Sequence, residues 1–108
     1  MEELRFERQY RTPHSEGYLM FASGERLGRL DVQFSSSIVY GTMIVERELE
    51  EDEILEVIEQ ADDEIVMTAD VPRDDFIVSV YQGRDVGTYS DDYDDEDDEE
   101  GDASENGA

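Results

Sequence analysis

The chain has 108 residues with 32 Asp and Glu against eight Lys and Arg, a formal net charge of −24 at pH 7 and room for one small domain. No window reaches the roughly 18 consecutive apolar residues that cross a bilayer, and the Met1-Glu2-Glu3 start lacks the layout of a secretory signal, so a cytoplasmic protein without a membrane partner is expected. There is no cysteine, which excludes disulfides, thiolate nucleophiles and Cys-bound metal centres.

In chain order, Leu4, Phe6 and Tyr10 alternate with Arg5, Glu7, Gln9 and Arg11, the two-residue period of a strand with one wet face. Arg11 to Gly17 reads as a loop holding Pro13 and His14. Gly17–Ala22 and Arg26–Phe34 form a hairpin around Gly24, and Ser35-Ser36-Ser37 is a second turn. Ile38–Val45 is apolar on both faces and should be a central strand. Ile54, Val57, Ile58 and Ala61 then fall on one side of a helix near Glu50–Gln60, with Asp52, Glu56, Glu59 and Asp63 opposite. The acids at its start suit the positive end of the helix dipole, while its far end has no base. Ile65–Ala69 is a candidate strand, Phe76–Tyr81 is again apolar on both faces, and Gln82–Asp85 turns it back into Val86–Tyr89 as a terminal hairpin.

This order predicts an α+β domain over residues 1–90: a mostly antiparallel sheet of six to seven strands with one helix after the fourth strand. Residues 91–108 hold eleven acids and no base, too little apolar surface to offset ordering entropy, and should form a disordered acidic tail. Two strands are apolar on both sides, yet one short helix covers only one side of a sheet. Either the sheet rolls on itself at Gly28 and Gly41, or a second copy packs on the uncovered side, and the small apolar content favours a homodimer.

The tail does not account for all the acidity, because residues 1–90 still hold 21 acids against eight arginines. A lysine-free, acidic surface suits a salt-rich cytoplasm, where the Debye length shrinks to about 3 Å at 1 M and carboxylates repel one another little. That halophilic adaptation is the leading reading. A sharper alternative makes the acids a nucleic-acid mimic or a binder of a basic protein. Residues 1–30 are different, with five acids and five arginines, so Arg5, Arg8, Arg11, Arg26 and Arg29 are the candidate binding residues for an anionic ligand or RNA, aided by Tyr10, Tyr18, Phe21 and Tyr40. The plainer expectation is that these arginines pair with neighbouring acids and the rings are core.

Little else points to chemistry. His14, Asp31 and the serine turn at 35–37 supply the residue types of an acyl-transfer site without a nucleophile-elbow pattern. A lone histidine is a weak metal signal, the acidic run from Asp91 lacks the glycine of a calcium loop, and no phosphate-binding glycine motif is present. The absence of lysine excludes Schiff-base chemistry. The sequence therefore reads as a non-enzymatic protein-interaction domain, self-associating and salt-adapted, with no cofactor, no metal and a protein partner whose identity it does not encode.

Overall fold

A computed structural model describes residues 3–69 and 73–91. Its elements are β1 (Leu4–Thr12), β2 (Ser15–Ala22), β3 (Glu25–Ser35), β4 (Ile38–Val45), α1 (Glu51–Ala61), a π-helical turn (Asp62–Val66) and β5 (Asp75–Gln82). The five strands form one sheet in the order β1-β2-β3-β4-β5. The first four make an antiparallel meander, and β5 returns parallel to β4 after the helical crossover, so the sheet is mixed.

The meander follows from its turns. Ser23 and Gly24 both have positive φ, 53° and 86°, the conformation that matches strand twist in a two-residue hairpin. Ser36 takes φ 54° in the next turn. The first hairpin is tighter than the sequence suggests: β1 and β2 pair out to Thr12 and Ser15, leaving only Pro13 and His14 between them. The Thr12 and Ser15 hydroxyls close that turn at 2.6 Å.

One face of the sheet carries the core. Met20, Leu30, Val32, Val39, Met43 and Val45 are almost fully buried there against Val57, Ala61, Ile65 and Val66. Helix α1 starts with the Glu50 N–H donating to Glu53 Oε1 at 2.9 Å, which satisfies one otherwise orphaned amide. Its far end reaches the opposite edge of the sheet, where Gln60 Nε2 donates to the Leu4 carbonyl at 3.2 Å. Arg73 Nη2 meets Asp62 Oδ2 at 2.8 Å and ties the helix end to the approach to β5.

Four further sequence expectations are corrected. The described residues contain five strands, not six to seven. Ile65–Ala69 is not a strand: the helix continues through a π-helical turn in which the Met67 N–H reaches back to the Asp62 carbonyl at 2.8 Å. The wider turn brings both Ile65 and Val66 inward beneath Ala61, and burying that pair outweighs their β-branched preference for a strand. Val86–Tyr89 does not pair back onto β5. The Gly83 N–H extends the ladder to the Val45 carbonyl by one residue, and Asp85 then turns toward Arg26 and Arg29. Finally, Tyr10 does not share a face with Leu4 and Phe6, because a bulge at Gln9 between Arg8 and Tyr10 inverts the alternation. Apart from Asp91, the expected acidic tail lies outside the described residues.

Candidate interaction surface

The sheet face opposite α1 is built by cross-strand rows. Leu19, Arg29, Ile44 and Tyr81 stand side by side across β2 to β5. Tyr10, Gly17, Asp31, Thr42 and Ser79 form the next row, and Ser15, Gln33, Tyr40 and Ile77 the one beyond. No described helix lies over this face, and it divides into a charged half over β1–β3 and an apolar half over β4–β5.

The charged half is a closed network. Arg29 grips Asp31 with two bonds, Nε to Oδ2 at 2.9 Å and Nη2 to Oδ1 at 3.0 Å. Tyr10 Oη donates to the same Asp31 Oδ1 at 2.7 Å. Burial pushes the Asp31 carboxyl up, but the bonds from Arg29 and Tyr10 outweigh it and leave the group below its ordinary range. The same contacts act on the partners: the hydrogen bond to Asp31 raises the Arg29 guanidinium, while burial, then Asp31, raises the Tyr10 phenol. Arg26 Nε meets Glu46 at 2.9 Å, and Asp85 Oδ2 bridges Arg26 and Arg29 at 3.4 and 3.8 Å.

The five arginines singled out by the sequence do not form one cluster. Arg5, Arg26 and Arg29 lie on the open face, with Arg5 stacked 4.3 Å above the Phe21 ring and 4.0 Å from Glu7. Arg8 and Arg11 lie on the helix-side face, opposite Tyr18 and Glu16. There Arg11 Nε sits 3.6 Å from Glu16 Oε2, and Tyr18 Oη donates to Glu16 Oε1 at 2.5 Å. Burial, helped by Glu16, pushes the Tyr18 phenol up to about 12. Of the four rings proposed as a stacking face, Tyr18 is core, while Tyr10, Phe21 and Tyr40 share the open face. Asp31 is engaged by Arg29 and Tyr10, and His14 sits in the β1–β2 turn with its N–H on Thr12 Oγ1 at 3.2 Å.

The apolar half was not named as a site from the sequence. Tyr40, Ile77 and Tyr81 are 45 %, 44 % and 57 % exposed, with Ile38 and Ile44 partly buried beside them. Neither Ile38–Val45 nor Phe76–Gln82 contains a charged residue, in a chain where charged residues make up 37 %. The two-faced apolar pattern of both strands was the signal, since only one of their faces meets the helix. Asp85 offered no signal, being one acid among 32.

Among the described residues no group of three or more His, Asp or Glu side chains is placed to hold a metal ion. No described helix is long and apolar enough to cross a membrane. No family model, no curated protein and no solved structure matches the chain.

Proposed function

We propose that this domain is a non-enzymatic protein-interaction module of a salt-rich cytoplasm, and that it associates with a second copy of itself along the β5 side of its sheet, where Asp75 is the one charge between Asp75 and Gln82. The observation that carries this reading is the exposure of Tyr40, Ile77 and Tyr81 on adjoining strands without a single charge between Ile38 and Val45 or between Phe76 and Gln82. The hydroxyl row of Thr42 and Ser79 separates Ile44 and Tyr81 from Tyr40 and Ile77, yet exposed apolar side chains with so little charge among them mark an interaction site in a protein that otherwise keeps its surface heavily charged. Two chains of −24 repel each other, so their contact belongs where charge is lowest and where salt screens the remainder.

The arginine-bearing strands are the weaker candidate surface for RNA or another anion. Arg11, Arg26 and Arg29 each already face a carboxylate within 4.0 Å, and an incoming phosphate has to displace it. Sedimentation equilibrium in 2 M KCl tests the reading directly. The wild-type chain is expected to dimerise, and the double variant Ile77→Ser/Tyr81→Ser to stay monomeric while folded by circular dichroism. A wild-type monomer at every concentration overturns it.

A further inference from the structure

We infer that the two copies join edge to edge: β5 of one chain pairs antiparallel with β5 of the other about a twofold axis at Ser79, making one ten-stranded sheet. This rests on the self-association proposed above and names its geometry.

The two edges of the sheet are unlike. β1 is defended against pairing by Arg5, Glu7, Arg8 and Arg11 and by the bulge at Gln9. β5 has none of these devices. Its eight residues contain no proline and one acid at the first position, and its register with β4 runs unbroken from Ile38 opposite Asp75 to Val45 opposite Gln82. The far end of α1 lies over Leu4, on the β1 side of the sheet.

Backbone parity fixes which groups the edge offers. The Glu46 N–H binds the Leu27 carbonyl, so even residues of β4 bond to β3 and odd ones face β5. The Gly83 N–H binds the Val45 carbonyl, so odd residues of β5 point back to β4. The N–H and C=O groups of Phe76, Val78, Val80 and Gln82 therefore point away from β4, and of these the Phe76 N–H is already held by Asp75 Oδ1 at 2.8 Å.

Only some registers keep faces matched and let these even residues bond to one another. With the axis at Ser79, Val78 pairs with Val80 of the second copy in an exchange of two backbone hydrogen bonds, and Phe76 comes opposite Gln82, whose carbonyl has to displace Asp75 Oδ1 from the Phe76 N–H. On the open face Ile77 meets Tyr81 of the second copy, twice, so that each covers a flank of the other. Moving the axis to Val78 instead sets the Asp75 carboxylate against Tyr81 and parts Ile77 from Tyr81.

Cysteine cross-linking tests the register without disturbing it, since the chain has no cysteine of its own. Ser79→Cys places two thiols on the axis, where opposed Cα atoms stand about 4.5 Å apart. Thr42→Cys lies one strand inward on the same row, putting its Cα atoms roughly 14 Å apart, too far for a disulfide. With diamide in 2 M KCl, Ser79→Cys should convert mostly to covalent dimer and Thr42→Cys hardly at all. Val80→Pro removes an outward N–H and no ladder bond, and should weaken dimerisation roughly tenfold or more. If Val80→Pro does not fold, the cross-linking result decides alone. A dimer by sedimentation in which Ser79→Cys cross-links no better than Thr42→Cys overturns the edge geometry and leaves self-association standing. A monomer throughout overturns both.

Discussion

The ring of Tyr10 occupies the space that a side chain on Gly17 would need: a Cβ built on Gly17 stands 2.0 Å from Tyr10 Cε2. Gly17 sits between Tyr10 and Asp31 in one cross-strand row, so its missing side chain lets the phenol lie across β2 and reach the carboxylate on β3. Gly17→Ala should expel the ring and break the 2.7 Å bond, costing about 1 kcal/mol in urea unfolding at high salt. In a Tyr10→Ser background the same substitution should be neutral or slightly stabilising, because alanine only reduces the entropy of the unfolded chain. Equal costs in both backgrounds would show that the ring does not rest on Gly17.

Tyr18 gives the domain an alkaline limit. Its phenol titrates near 12 in the folded chain, raised by burial and by its bond to Glu16, against 10.0 as the ordinary value. A raised acid pKa means that the unfolded state releases its proton first, so the stabilisation is complete below pH 10 and falls as pH rises toward 12. Unfolding free energy measured from pH 9 to 12 should decline more steeply in the wild type than in Tyr18→Phe. At pH 7 the phenylalanine variant should be less stable by about 1 kcal/mol, since the buried Glu16 loses a donor. Parallel alkaline slopes for the two proteins would refute the assignment.

What the sequence encoded plainly was periodicity. The meander, the helix and the two doubly apolar strands follow from alternation at two and at 3.6 residues, as Val39/Met43 and Val57/Ala61 show. Features that depend on one extra residue were hidden. The bulge at Gln9 sends Tyr10 to the other face, and the π-helical turn lets Ile65 and Val66 both point inward. Neither leaves a mark in composition. The ion pairs of the open face were equally hidden, because Asp85 reaches Arg26 across 59 positions of sequence and many other acids could have served. The apolar half was legible only as a surplus: two strands had more apolar faces than one helix could cover.

Gly28 leaves no room for a side chain between β3 and β4. A Cβ there stands 1.9 Å from the Ile44 carbonyl oxygen and 3.0 Å from Val45 Cα, both backbone atoms that cannot swing aside. Gly28→Ala should force the two central strands apart and cost about 2–3 kcal/mol. Gly24→Ala is the control. Nothing lies within 4 Å of its Cβ, and its φ of 86° alone opposes the substitution, at about 1 kcal/mol. Urea unfolding of both variants at high salt should give that order, and the reverse order would place the strain in the turn instead.

Salt dependence is the most general consequence of the charge distribution. From Glu50 to Glu64 the chain carries nine acids and no base, with Asp52 and Glu56 one helical turn apart. Such pairs repel in dilute buffer, and the repulsion fades as the Debye length falls from about 10 Å at 0.1 M toward 3 Å at 1 M. The melting temperature of the chain truncated after Asp91 should therefore rise by roughly 10 °C or more between 0.1 and 2 M KCl. The truncation assigns the effect to the folded part, since it removes ten of the 32 acids. Glu59→Lys places a base on the exposed side near the helix C-terminus, where it suits the dipole and faces Asp63 four residues on. It should raise the low-salt melting temperature by a few degrees and leave the high-salt value almost unchanged. A melting temperature indifferent to salt in the truncated wild type would mean that the acids are tolerated by the fold itself, and the acidic surface would then need a binding partner to explain it.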